Sequence, residues 1–518
     1  MTAPASSAAS RDRGPALSRG RRWAATGALA ASLLVVAMDM TVLNIALPAL
    51  TAELRPTSVQ LLWIVDVYSL VLAGLLVPCA ALADRWGRRR TLLLGYGLFA
   101  GASLLVPAAD AAPGVIAVRA LLGVGGAMIL PTTLSMIRVL FTDPAERATA
   151  LGVWAAVSGL GAAAGPLVGG FLLQHFPWQA AFLVNVPLIL VALVAGLALL
   201  PESRVAEPGR WDARAAVLAL AGMVLLVWAV KRFGEGNGPT APEAWAALAG
   251  AGVALTWFAR RCLGRADPLL ELRLFGRRPF SAGIVAALGT TFSMVGAMLL
   301  LAQWLQLADG ASPMAAGVRL LPVATAGVAA SLLAPPLARL LGARTVLAAG
   351  PAVTGTGLLV LALTPGPLAL PAVLTALTLI GAGTGSLAVG SALIMSSAPE
   401  EQAGSAGALE ETSYELGAAL GVAVLGTVAG QVYRARLADT PALHDAPPGL
   451  AAQAAESLGG AVGVADRLAL PRLPRLAEQA ATAFTEALRT TGLVGAVLMF
   501  AVAATVFALA PGRRSASG

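Results

Sequence analysis

Charged side chains are scarce in this sequence. Asp, Glu, Lys and Arg make up 12% of its 518 residues, against about 25% in an average soluble domain. With 58% of residues hydrophobic, a soluble fold of this length would leave too much apolar surface facing water. Soluble-enzyme, fibrous and disulfide-scaffold classes are excluded on that ground. Only two cysteines occur. Cys79 and Cys262 both fall on the face assigned below to the cytoplasm, so no disulfide is expected. The two histidines, His175 and His444, lie in different loops, and no nucleophile–base pair, metal-ligand spacing or nucleotide-binding motif is visible. No catalytic residue, metal site or ATP drive is therefore expected. Lysine is nearly absent as well: of 35 Lys+Arg, only Lys231 is lysine, which reads as the codon bias of a G+C-rich genome. The net charge of +8 is spread through loops rather than gathered on one face, which argues against a nucleic-acid partner.

What the chain has in abundance is long apolar runs, from Ala24 to Ala510. A bilayer core of roughly 30 Å needs about 20 such residues per helix. The runs predict an all-α polytopic membrane protein with fourteen spans, at 24–50, 61–83, 91–109, 114–138, 148–173, 180–200, 215–230, 244–259, 281–306, 315–336, 345–363, 369–395, 404–432 and 489–510. The first run carries Asp39 and no cleavage site, so it reads as an uncleaved helix rather than a signal peptide. With both termini inside, short internal loops carry most of the arginines, as the positive-inside rule requires. The expected location is the bacterial plasma membrane. The expected organisation is a disordered cytoplasmic tail (1–23), a six-helix half (24–200), a linker with two inserted spans (201–280), a second six-helix half (281–510) and a short cytoplasmic tail (511–518). Within the second half, the external loop 434–488 has amphipathic stretches at 449–469 and 475–488, joined by Leu-Pro-Arg-Leu-Pro, which predict a helical hairpin over the outer mouth.

Two short repeats support the paired halves. Leu82 to Arg89 and Leu337 to Arg344 share L-A-x-x-x-G-x-R, and Leu160 to Gly165 and Leu416 to Gly421 share L-G-A-A-x-G, at nearly the same offset. They pair span 2 with span 10 and span 5 with span 13. Two repeated halves around a central pathway are the architecture of alternating-access transporters. Asp84-Arg85-Trp86-Gly87-Arg88-Arg89-Arg90 closes span 2 at the cytoplasmic face, where Gly87 allows a tight turn and Asp84 is a candidate latch to a neighbouring helix. In span 5, Gly161, Gly165, Pro166, Gly169 and Gly170 predict a close, deformable contact between the halves.

These motifs, with Arg119-x-x-x-Gly123-x-Gly125-Gly126 in span 4, resemble the signatures of the major facilitator superfamily. Asp39 to Pro48 (DMTVLNIALP) resembles the first-helix motif of its fourteen-helix drug:proton antiporters. Trp63 to Leu70 (WIVDVYSL), Leu130 to Arg138 (LPTTLSMIR) and Phe182 to Pro187 (FLVNVP) are similar to the QacA-type antiseptic and multidrug exporters. The likeness runs essentially end to end. It departs at Ala80 for the usual Gly, at Leu122 for the usual Gln, and at 320–327 (LLPVATAG), where relatives can carry an acid and this chain has Gly327. The resemblance implies the major facilitator fold, two six-helix halves plus two inserted helices, and efflux of small lipophilic drugs.

Ionisable groups inside spans cost at least about 2.5 kcal/mol by insertion scales and mark functional positions. Here they are Asp39, Asp66, Arg119, Glu410, Glu411 and Glu415, all candidates for proton coupling. A desolvated carboxyl binds a proton readily and, once ionised, attracts a cation. One site can then hold proton and drug in turn. Asp66, Tyr68, Trp63, Trp154, Trp304 and Tyr414 are candidate substrate contacts, the rings offering faces to organic cations. The expected function is proton-coupled export of lipophilic, mainly monovalent cations (quaternary ammonium compounds and dyes) or of a host-made antibiotic. No cofactor other than the coupling proton is expected, the partners are small molecules and the lipid bilayer, and the state is a monomer. A proton-coupled importer of an organic solute and, more remotely, an intramembrane enzyme stand as alternatives.

Overall fold

The computed structural model describes residues 18–204, 212–233, 240–265, 268–399, 402–444, 447–468 and 474–512. Among the described residues fourteen long helices carry the fold: α1 (Arg19–Leu54), α2 (Ser58–Trp86), α3 (Arg88–Leu105), α4 (Ala112–Leu140), α5 (Pro144–His175), α6 (Ala180–Leu199), α7 (Ala213–Phe233), α8 (Pro242–Leu263), α9 (Arg278–Gln303), α10 (Pro313–Leu341), α11 (Ala343–Leu363), α12 (Leu370–Ser397), α13 (Ala403–Ala438) and α14 (Pro474–Leu509). Among the described residues twelve helices are long and apolar enough to cross a membrane by length and composition, α5 and α8 standing outside that set. No strand occurs among the described residues.

Local chemistry sets the helix ends. Thr57 and Gln60 form a capping box at the start of α2, the Asp143 carboxylate accepts from the Glu146 N–H to open α5, and the Ser312 hydroxyl accepts from the Ala315 N–H to open α10. The repeats have a geometric meaning. Gly87 joins α2 to α3 at φ 121°, and Gly342 joins α10 to α11 at φ 92°, a region that a residue with a Cβ rarely adopts. The second repeat is a packing surface used twice. A Cβ on Gly161 would meet the Leu34 carbonyl of α1 at 2.6 Å, while Gly417 and Gly421 abut the Leu288 and Phe292 carbonyls of α9.

This packing corrects the reading of span 5. Gly161, Gly165 and Gly169 recur every four residues and so share a face, and that face lies on α1 of the same half. The contact between halves is made one residue further round, where Gly170 lies against Pro313 and Met314 and the Pro166 carbonyl lies against Gly317. The halves also meet along α2 and α13, where Leu62 packs on Gly426. The inserted helix α7 covers that seam, with Met223 and Val227 clustered against Leu70 and Ala73 of α2 and Ala419 and Ala423 of α13.

The α7–α8 pair is clipped at one end by Asp212, whose carboxylate accepts from Arg261 at 2.7 Å and pairs with Arg265 at 2.8 Å. Burial raises the Asp212 carboxyl, but the Arg261 and Ala215 hydrogen bonds and the arginine charges outweigh it and hold the group below its ordinary value.

Several boundaries differ from expectation. Arg19–Arg22 belong to α1, capped by the Ser18 side chain, rather than to a disordered tail. The stretch 475–488 is not one arm of a hairpin but the continuous first part of α14, because Leu476, Ala480, Phe484 and Ala487 bury on the second half and no breaker interrupts them. Before it, Pro441–His444, Pro448–Glu456 and Leu458–Leu468 form three short helices. Glu456 accepts from the Ser58 N–H at 2.9 Å and Gly459 sits on Thr51, so this segment clasps the α1–α2 turn. Cys79 and Cys262 are both buried and free.

Candidate functional site

Asp39, halfway along α1, is fully buried and forms an ion pair with the Arg119 guanidinium at 2.6 Å. Its other oxygen accepts from the Asn185 side-chain amide at 2.7 Å. Arg119 is fastened at two further points, donating to the Ile64 carbonyl at 3.1 Å and the Val65 carbonyl at 3.3 Å, with its Cζ 4.5 Å from the Tyr68 ring centre. The small residues after Arg119 make this possible. Gly123 and Gly126 remove side chains where a Cβ would meet the Tyr68 carbonyl at 2.7 Å and the Tyr68 hydroxyl at 3.0 Å, so α4 seats directly on α2. Asn185 opens the second segment of α6 after a break at Val184, which turns its amide toward α1.

A second buried pair lies on the same turn of α2. The Asp66 carboxylate accepts from the Lys231 ammonium at 2.9 Å, and Lys231 stands 3.7 Å from the centre of the Trp63 ring. The other Asp66 oxygen has no hydrogen-bond partner. Lys231 therefore corrects the sequence reading twice. It is a helical residue rather than part of an external loop, and at 2% exposure it is buried. Breaking such a pair by removing one partner costs about 3–5 kcal/mol, so this lysine is one half of a buried pair rather than a solvated loop charge.

The α13 acids are arranged otherwise. Glu410 and Glu415 are buried and Glu411 part-buried. Glu410 accepts from the Tyr414 hydroxyl at 2.8 Å, and one oxygen of Glu415 has no partner. Among the described residues none of the three forms an ion pair. Glu415 lies beside Ser69 of α2, which brings it to the same seam as the Asp39–Arg119 cluster.

The aromatic candidates separate. Trp63 and Tyr68 are covered by the protein's own cations. Trp154 donates to the Thr133 hydroxyl at 3.1 Å, and Trp304 donates to Thr485 of α14 at 3.0 Å inside the second half. Gly327 faces α12, since a Cβ there would meet the Thr384 hydroxyl at 2.9 Å. At the α2–α3 turn Asp84 pairs with Arg88 at 2.8 Å, Arg85 is exposed, and the Arg88 and Arg89 N–H groups donate to the Ser203 carbonyl and the Glu202 carboxylate. Asp84 thus binds within its own loop, and the loop is tied to the segment after α6. Sequence reasoning missed Lys231, Asn185, Glu202 and Glu456. The signals for the first two were an isolated lysine among arginines and an amide in the otherwise apolar Phe182–Pro187 run.

Two helical halves joined by an inserted helix pair, with charges paired in their interior, define a membrane transporter rather than an enzyme. The chain belongs to the Major Facilitator Superfamily, whose profile matches residues 29–422. It is 41% identical over 491 residues to the multidrug efflux pump LfrA of Mycolicibacterium smegmatis, covering 94% of this chain and 96% of that one. It is 38% identical over 453 residues to the methyl viologen resistance protein SmvA of Salmonella typhimurium (86% and 90% covered). To the tetracenomycin C resistance and export protein of Streptomyces glaucescens it is 32% identical over 497 residues (94% and 92%). Among solved structures, a bacterial homolog of the human lysosomal transporter Spinster, inward-facing and occupied, matches with a TM-score of 0.67 at 18% identity, covering 95% of this chain and 97% of that one. It is a multi-pass membrane protein whose relatives are named efflux pumps and resistance proteins. An intramembrane enzyme is thereby set aside.

Proposed function

We propose that this protein exports lipophilic, mainly monovalent cations, or an antibiotic made by its host, in exchange for external protons. The observation that carries the reading is the Asp39–Arg119–Asn185 cluster: a fully buried carboxylate with a cation and an amide on its two oxygens. A proton arriving at Asp39 cancels the charge that holds Arg119, and Arg119 is anchored to the backbone of α2. Protonation therefore loosens α1 from α4 and α2 and leaves the buried Arg119 with only neutral carbonyl partners, a cost that favours its movement. Tyr68, beneath Arg119, lies on the same turn of α2 and registers that change. The α13 glutamates supply further proton sites next to the α2–α13 seam.

The relatives' names support export over import, and tetracenomycin C illustrates a secondary metabolite as cargo. The charges support more than one proton per cation. Two protons in for one monovalent cation out move one net charge inward, and gain about 2.3 kcal/mol per 100 mV. The test is uptake into inside-out vesicles of ethidium, tetraphenylphosphonium and neutral drugs, followed by proteoliposomes at zero pH gradient. Potential-driven transport of tetraphenylphosphonium is the expected result. If potential drives a neutral substrate but not the monovalent cation, one proton is exchanged and the multi-site scheme is wrong. Uptake that raises rather than lowers whole-cell dye accumulation would establish import.

A further inference from the structure

Asp66, Trp63 and Lys231 form a filled version of the site that an organic cation would use. A carboxylate beside the face of a tryptophan is the chemistry that holds ammonium and quaternary ammonium ligands. In this structure the ammonium comes from the protein itself, 2.9 Å from Asp66 and 3.7 Å from the Trp63 ring centre. Both ionic partners are fully buried, and the second Asp66 oxygen lacks a partner, so the box has acceptor capacity that its lysine leaves unused. Lys231 is carried by α7, which belongs to the inserted pair and rests on α2 and α13 at once. The end of α7 is tied to α13 where Gln431 donates to the Phe233 carbonyl at 2.9 Å. Movement of α2 against α13 must therefore slide the ammonium relative to Asp66.

We propose that Lys231 is a tethered stand-in for the transported cation, occupying the Asp66–Trp63 box when cargo is absent and giving way to the cationic head of the substrate. This rests on the cation-export reading above and names where the cation goes. The exchange keeps the box neutral: one cation enters as another leaves, and no bare carboxylate is exposed to the interior. A tethered competitor lowers the apparent affinity by the fraction of time the box is free. It thereby sets which cations are strong enough to enter.

Because Lys231 is the only lysine in the chain, protein grown on lysine labelled with carbon-13 at Cε gives one side-chain resonance, displaced by the ring current of Trp63. Saturating tetraphenylphosphonium is expected to move that resonance toward the position of a free lysine, and in a Trp63→Leu variant the starting displacement is absent. In equilibrium binding to the purified protein, Lys231→Met is expected to tighten tetraphenylphosphonium at least about tenfold. Lys231→Arg is expected to leave binding near wild type, and Lys231→Met with Asp66→Asn to lose the gain. A resonance unmoved by bound tetraphenylphosphonium overturns the proposal whether or not the variants fold. Unchanged or weaker binding by folded Lys231→Met overturns it as well. If wild type binds and exports the cation while these results fail, only the stand-in role is lost; if wild type binds no cation, the export reading falls with it.

Discussion

The acids of the two halves are buried on opposite terms. In the first half each buried carboxylate has a cation, Arg119 for Asp39 and Lys231 for Asp66. In the second, Glu410 has a tyrosine hydroxyl and Glu415 an oxygen with no partner. A buried carboxylate without a counter-cation is held most cheaply in its protonated form. The first half thus holds its acids in charge pairs and the second holds them without counter-cations; in the exchange proposed above, a proton or cation breaks the former and a proton loads the latter without breaking a pair.

Substitutions at the paired acids test that contrast most severely. Asp39→Asn keeps the side chain's size but removes the charge and one of the two acceptors that Arg119 and Asn185 use; export against a gradient is expected to fall to background while some drug binding remains. Arg119→Met leaves Asp39 uncompensated and is expected to destabilise the protein by about 3–5 kcal/mol, seen as a large drop in thermal-unfolding midpoint. Glu411→Gln and Glu415→Gln break no ion pair, so each should cost less than about 1 kcal/mol of stability. Either should reduce the charge moved per substrate in a proteoliposome current measurement. A stability loss at Glu415 as large as that at Arg119 would erase the distinction between the halves.

Substrate charge sharpens the comparison further. Gly327 of α10 supplies no second carboxylate and faces Thr384 of α12, so monovalent cations should be transported faster than matched dications. Methyl viologen, the compound in the name of the Salmonella relative, is the stringent dication for that comparison, and equal rates would sink the preference. Asp84→Asn is expected to slow transport with binding near wild type. Stability should change by less than about 0.5 kcal/mol, because Asp84 and Arg88 form a partly exposed pair four residues apart on adjoining helix ends. Binding lost in proportion to transport would show that the loop acts on the site. The smallest effect belongs to Asp212. With its carboxyl held below the ordinary value, its contribution is complete above about pH 4 and is lost as pH falls through the lower folded-state value. Asp212→Asn should therefore match wild-type stability in strong acid and fall slightly below it at neutral pH.

Much of this architecture was legible in the residues. The long helices lie where apolar runs meet glycine, proline or charge, and the L-A-x-x-x-G-x-R repeat marked both Gly87 and Gly342. Asp39 and Arg119 were legible because charge inside an apolar run is costly. The amide that joins Asp39 and the lysine that pairs with Asp66 were harder to see. Asn185 has no net charge, and Lys231 stands at the edge of a run, where a window of hydropathy ends the helix before it. Of the small residues of α5, Pro166 and Gly170 do meet the other half, but Gly161, Gly165 and Gly169 were misassigned, because small residues announce close packing without naming the helix they pack on. Glu456 was hidden in a polar loop where one acid looks like any other. Long-range pairing depends on tertiary structure, and neither periodicity nor charge counting contains it.

The bare face that α5 presents to α1 also has a consequence for heredity. No residue is smaller than glycine, so every amino-acid replacement reached by changing one base of a glycine codon adds atoms. At Gly161 the first added carbon would stand 2.6 Å from a backbone oxygen, and at Gly169 it would stand 2.9 Å from a methyl group of Val42. On the proposed function, a lineage can alter its cargo by changing side chains around Asp66 and Tyr68, but at the α1–α5 seam each such step adds bulk where there is no room for it. Substrate range is therefore open to drift along the pathway and closed to it along this seam.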